Sequence, residues 1–284
     1  PLLKPIDLIE LVRIGTRAVR IAIARRSSLS PLVAAALIET GEADVCLELA
    51  RNDAAEFTQD SIQTFAQLFQ TNARVRHALL QRDDLPTGVR HDLVVALAGD
   101  LSSSPFVSAS LGNSAAGLLK DGLCDRATTA ISNDLPDHEI VDFVEHLRSR
   151  GRLNAALLVR AACNGRLDLL SVALARLSGH SERRVRAIVA DARQPAFGAL
   201  ISAAGLPNGT EGIVLRAVRA WKDMSSYDDV SNDDQTMAVL EGLIRSGAVD
   251  ASGLSKHLEE FLYRVLNEAQ HSSARRRAEH YLAA

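Results

Sequence analysis

Apolar residues recur at helical spacing along almost the whole chain, in short runs closed by polar turns. From position 25 to position 98 the runs fall into a beat. Leu29-Ser30-Pro31, Phe57-Thr58-Gln59 and Leu85-Pro86-Thr87 follow one another at equal intervals, and each is followed eight residues later by an apolar anchor: Leu37, Phe65 and Leu93. A fixed period of this size filled with helical patterning predicts a helix-turn-helix solenoid. Ser30 and Thr58 are placed to cap helices, with Pro31 at the first helical position of the earlier one. Leu32, Ala36 and Leu37 supply apolar positions of that helix, and Gly41 stops it. The partner helices align better on a slightly longer interval, Leu49 with Leu79 and Asn52 with Arg82. The added residues fall in the turn at 54–56, where lengthening a surface connection is cheap.

The same reading extends in both directions. Residues 5–26 predict one or two helices carrying Ile6, Ile9, Val12, Val19 and Ile23, with Gly15-Thr16 as a break. Residues 99–122, rich in Ser and Gly, read as the least helical stretch and a candidate hinge. Helices are then expected over 137–150, as one pair whose members start at Gly151-Arg152-Leu153 and Gly165-Arg166-Leu167, and after Ser181. Two more follow, on either side of Gly205-Leu206-Pro207. Residues 225–234 hold four Asp and read as an acidic linker. A last stripe runs through Leu254, Leu258, Phe261, Leu262, Val265, Leu266 and Ala269. It predicts an amphipathic C-terminal helix that docks as a cap or, as the second choice, pairs two copies in a homodimer. The organisation expected is N-terminal repeats over 1–98, a second set over 99–224, the linker, and C-terminal helices over 235–284.

Composition fits this picture. The chain of 284 residues is 47% hydrophobic but only 4% aromatic, and no segment shows a strand's alternation. The fold class expected is all-α: an irregular solenoid of about six or seven helix pairs. The net charge of −3 gives no general attraction to phosphate or anionic lipid. Cys46, Cys124 and Cys163 form no CxxC pair and read as buried hydrophobes in a reducing cytoplasm. No apolar run has the ~18 residues of a membrane span. The first residue is Pro1 rather than Met, so a processed or trimmed chain is expected, with room for a targeting segment or further domain outside it.

The run over 154–179, the Arg183-Arg184-Val185-Arg186-Ala187-Ile188 helix and Ala203-Ala204-Gly205-Leu206-Pro207 together carry a likeness. With the Leu-Ser and Leu-Pro helix starts of the N-terminal units, they resemble a bacterial family of HEAT-like helical-repeat proteins, one of the domain-of-unknown-function families. The likeness covers residues 25–221 and leaves out the segment after Ser225. It implies an all-α repeat fold and no activity.

Candidate chemistry is sparse. His138, Asp142 and His146 stand four residues apart, with Glu139 and Glu145 nearby, but outer histidines two turns apart are about 12 Å distant at 1.5 Å per residue. That is too far for one ion, and the group reads as a polar helix face. Gly112-Asn-Ser-Ala-Ala-Gly117 has its second glycine one residue too late for a nucleophile elbow and lacks a preceding strand. No phosphate-cradling glycine loop occurs. His77 and His91 read as surface or interhelical hydrogen-bonders, and Trp221 as core. No catalytic, metal-ligating or cofactor-binding residue is assigned, and no cofactor or enzymatic activity is expected. The function expected is a cytoplasmic protein–protein interaction scaffold using a solenoid face. The alternative is nucleic-acid binding through Arg183, Arg184 and Arg186 or Arg275, Arg276 and Arg277, and an enzyme with an unrecognised site comes third.

Overall fold

The computed structural model describes residues 3–207, 209–224, 232–245 and 255–283. Every regular element among them is helical. A lone parallel bridge between Leu29 and Ala55 joins two successive helix starts. The chain divides into two compact units, Pro1–Thr128 and Thr129–Ala284.

The first unit begins with α1 (Pro5–Ile14), α2 (Arg17–Ala24), α3 (Pro31–Glu39) and α4 (Ala43–Ala50). It continues with α5 (Gln59–Leu68), α6 (Ala73–Leu80), α7 (Thr87–Ser102) and most of α8 (Pro105–Asn133). Packing alternates: α1 lies on α3, α3 on α5 and α5 on α7, while α2 lies on α4 and α4 on α6. Two files of helices thus enclose a core whose fully buried members include Leu37, Leu49, Phe65, Leu79 and Leu93, the three anchors of the N-terminal beat among them. Thr58 accepts from the Ser61 amide as a cap, and Asn72 does the same for Arg74 and Val75.

Three local expectations need correction. Ser30 stands before α3 but makes no capping bond, and its hydroxyl is buried without a partner. Leu32 is 68% exposed, because the buried face of α3 is Val33, Ala34, Leu37 and Ile38. Residues 99–122 are mostly helix. The chain breaks between α7 and α8, and again within α8 at Gly112, whose φ of 75° and ψ of 162° are open to glycine alone at little cost.

The second unit opens with the end of α8, a 3-10 turn (Asp137–Glu139), α9 (Ile140–Ser149), α10 (Ala155–Cys163) and α11 (Leu167–Ser178). It continues through α12 (Glu182–Asp191), α13 (Gln194–Ala203), α14 (Thr210–Met224), α15 (Asn232–Arg245) and α16 (Ser255–Ala283). Here α11 is the hub, touching α9, α10, α12 and α13, and α10 packs directly on α14. Of the expected linker, 225–231 lies outside the described residues and 232–234 opens α15. Helix α16 packs on α15, and Leu262 and Val265 are buried in this unit's own core. Leu254, the first member of the expected C-terminal stripe, lies outside the described residues, and Leu262 and Val265 are covered within the chain.

Both units fasten successive turns in the same way. Asn52 donates to the carbonyls of Ala24 and Arg26 at 2.7 and 2.8 Å. Arg82 donates to those of Asn52 and Ala55 at 2.7 and 3.0 Å while its fork grips Asp84, 2.7 Å at each contact. In the second unit Arg166 caps the carbonyls of Ser132, Asn133 and Leu135 and grips Asp168. Arg82-Asp83-Asp84-Leu85 and Arg166-Leu167-Asp168-Leu169 are separated along the chain by three full intervals of the N-terminal beat.

Candidate functional site

The hub position of α11 leaves a cleft in the second unit, bounded by the 3-10 turn and α9 on one side and by α12 and α14 on the other. Its volume is about 610 Å³. The floor and walls are apolar: Ile140, Val141, Leu167, Val172, Val189 and Trp221. Ile140, Val172 and Val189 are nearly inaccessible, whereas Val141, Leu167 and Trp221 remain half-exposed along the walls. Helical spacing explains the lining. Residues 140 and 141, 167, 168, 171 and 172, and 186, 189 and 190 each form one face of their helix.

Trp221 is held from two directions. Its indole N–H donates to the Cys163 carbonyl at 3.1 Å. One ring face lies against Gly165, whose φ is +74° and where a Cβ would come within 2.9 Å of the ring. The residue read from sequence as core packs against the core and is also a wall of the cleft, anchored by its polar end and by a close backbone approach.

Charge lies on the two rims. Asp137 and Asp168 stand on the α9–α11 side, and Arg186 and Lys222 on the α12–α14 side. Burial pushes the Asp168 carboxyl up. The Arg166 guanidinium and the Leu169 amide outweigh that and hold it below the usual aspartate value. Its charge is therefore largely answered from its own wall. Lys222 donates to the Ala190 carbonyl in the last turn of α12, where a cation suits the helix C-terminus. Arg186 forms no ion pair among the described residues, and Arg183 precedes it by one turn on the same face of α12.

The other candidates fall elsewhere. His138 sits in the 3-10 turn, 80% exposed and 3.7 Å from Glu139, so it does not share one α-helical face with Asp142 and His146. The His146 ring stacks on Phe143 with centroids 6.3 Å apart. Glu145 is gripped by Arg148. Gly112 and Gly117 lie within the broken helix α8. His91 is buried and shares a 2.9 Å hydrogen bond with Thr128, whereas His77 is exposed on α6. The three arginines at 275–277 are exposed on α16, and Arg277 pairs with Asp234 at 2.8 Å. All three cysteines are free and buried. The cleft itself was not legible as a site: Asp137, Arg186 and Trp221 are separated by most of the unit, and the periodicity that predicts each helix does not say which faces meet.

A family model described as an uncharacterised protein conserved in bacteria (DUF2336) matches residues 1–278. The chain belongs to that family, and the match takes in the C-terminal segment that the likeness left out. No curated protein and no solved structure matches it. No described helix is long and apolar enough to cross a membrane.

Proposed function

We propose that this member of the DUF2336 family is a protein-interaction module, a scaffold or adaptor in the cytoplasm, and that the α9–α11–α12–α14 cleft receives part of a partner protein. The observation that carries the reading is the cleft: an apolar floor open to solvent between rims of opposite charge, in a chain of stacked helices that offers extended surface. Three free, buried cysteines suit a reducing compartment. Nucleic acid is the weaker fit, because the floor of the cleft is apolar and offers a phosphate backbone no donor. The arginines of α16 are also engaged in part with acidic neighbours of their own.

The test is photocrosslinking in the native cell with a photoreactive residue at Ala190, on the exposed rim, against the same residue at Leu32 on the first unit. A discrete adduct at Ala190 that disappears with Val141→Glu on the half-exposed cleft wall is the expected result. Adducts indistinguishable between the two positions would remove the support for this reading.

A further inference from the structure

We infer that the occupant of this cleft is an amphipathic α-helix of a partner protein, apolar on the face it inserts and acidic along the edge that meets α12; the inference rests on reading the cleft as a protein-binding site. The backbone argument comes first. Ile140, Val172 and Val189 form the floor and offer no side-chain donor or acceptor, and no described strand presents an edge for an added strand to pair with. An extended peptide laid on this floor would bury unpaired amides and carbonyls, whereas a helix satisfies its own backbone and needs only apolar side chains at i, i+3 or i+4.

The charges then choose among helices. On the α12–α14 rim Arg186 makes no ion pair among the described residues, Arg183 extends the same helix face, and Lys222 is committed to the C-terminal turn of α12 through the Ala190 carbonyl. On the opposite rim Asp168 is answered by Arg166, leaving Asp137, at the N-terminal end of its 3-10 turn, as the exposed carboxylate. The two α12 arginines, neither in an ion pair among the described residues, against the exposed carboxylate of Asp137 favour an acidic edge on the ligand where it meets α12. They set its direction across the cleft as well as its on-rate.

Trp221 makes the test direct, because it is the chain's single tryptophan and forms one wall. Two tryptophan-free helical peptides serve as probes, identical in their leucine stripe, one with glutamates and one with lysines along the flanking edge. The full chain is titrated with each while Trp221 emission is followed. The glutamate peptide should give a saturable change that weakens as salt is raised, and the lysine peptide should bind about tenfold more weakly. In Arg183→Glu/Arg186→Glu, two exposed substitutions that should leave the melting temperature unchanged, the preference should reverse.

Equal affinities, no saturable change with either peptide, or a Trp221 change produced by dilution alone, which would mark a second copy as the occupant, would each overturn the inference. The failures separate cleanly. If the Ala190 adduct persists while the peptides are not distinguished, the interaction reading stands and the acidic helix falls. If both are silent, both fall.

Discussion

Arg82 and Arg166 show how much of the fold rests on single side chains. Each guanidinium satisfies carbonyls at the turn one helix pair back, and Arg82 is only 3% exposed, with its charge 4.9 Å above the Phe57 ring. Replacing it with Leu would leave the buried Ala55 carbonyl without its donor, at about 1–3 kcal/mol, while the Asn52 carbonyl keeps the Ala55 amide. The partner Asp84 is 57% exposed, and losing it costs little. Arg82→Leu should therefore lower the urea midpoint by the equivalent of about 2 kcal/mol with an unchanged slope. Arg82→Lys should recover less than half of that, because an ammonium cannot reproduce the fork. A loss below about 0.5 kcal/mol would show that water replaces the guanidinium at no cost. Gly165 is a second such position. Gly165→Ala combines a left-handed φ with a Cβ thrust into the indole, so it should destabilise by about 1–3 kcal/mol and red-shift Trp221 emission as the ring leaves the wall. An unmoved spectrum would mean that the Gly165–Trp221 contact does not hold the ring.

At the scale of helices, α16 is fastened by one buried charge. Arg160 on α10 is 2% exposed, ion-pairs with Glu268, lies 5.1 Å over the Phe261 ring, and keeps its Nε buried without a partner. Removing the carboxylate leaves a nearly dry cation, a change that costs about 3–5 kcal/mol in comparable sites. Glu268→Ala should speed hydrogen exchange of the α16 amides well before those of α11, and Arg160→Met/Glu268→Leu should restore most of the protection. Equal acceleration in every helix would instead make α16 part of one cooperative unit.

Helices were also the scale at which the sequence was most legible. The N-terminal beat marks the starts of α3, α5 and α7, and Gly15-Thr16 separates α1 from α2 as read. The recurrence of Arg-x-Asp-Leu at Arg82 and Arg166 was in plain view, but its meaning was not, because the carbonyls that Arg166 caps belong to Ser132, Asn133 and Leu135, on a different turn of the chain. The helical character of 99–122 was hidden by Ser and Gly. Their low intrinsic propensity is overridden where tertiary packing buries residues such as Ala98, Ser102 and Ala116. Trp221 packs against the core as read, but its second role as a cleft wall was hidden, because the glycine it leans on, Gly165, follows a distant helix.

Across the whole molecule, the response to pH should be set by groups that fold into environments unlike water, and the two limbs have different owners. On the acid side Asp168 is held below its ordinary value of 3.8, so the folded chain binds its proton less tightly than the unfolded chain does. That contribution is present above about pH 4 and is lost as the pH falls through the lowered folded value. Asp168→Asn should flatten this part of the acid limb. On the alkaline side, burial pushes the thiols of Cys46 and Cys163 from 9.0 up to about 12. For Cys46 the nearby Glu42 adds to the effect, and for Cys163 Arg160 opposes it. A raised thiol keeps its proton in the fold while the unfolded chain loses it, so stability is intact below pH 9 and falls between about 9 and 12. The slope is about 1.4 kcal/mol per pH unit for each thiol. The thiols are isolated by difference. Urea midpoints of the native chain and of Cys46→Ala/Cys163→Ala, measured from about pH 8 to 10.5, should diverge, the variant losing stability less steeply. Parallel curves would mean that the two sulfurs ionise in the fold as readily as in water, and native-state labelling by a thiol reagent at about pH 8 would then be fast rather than confined to the unfolded chain.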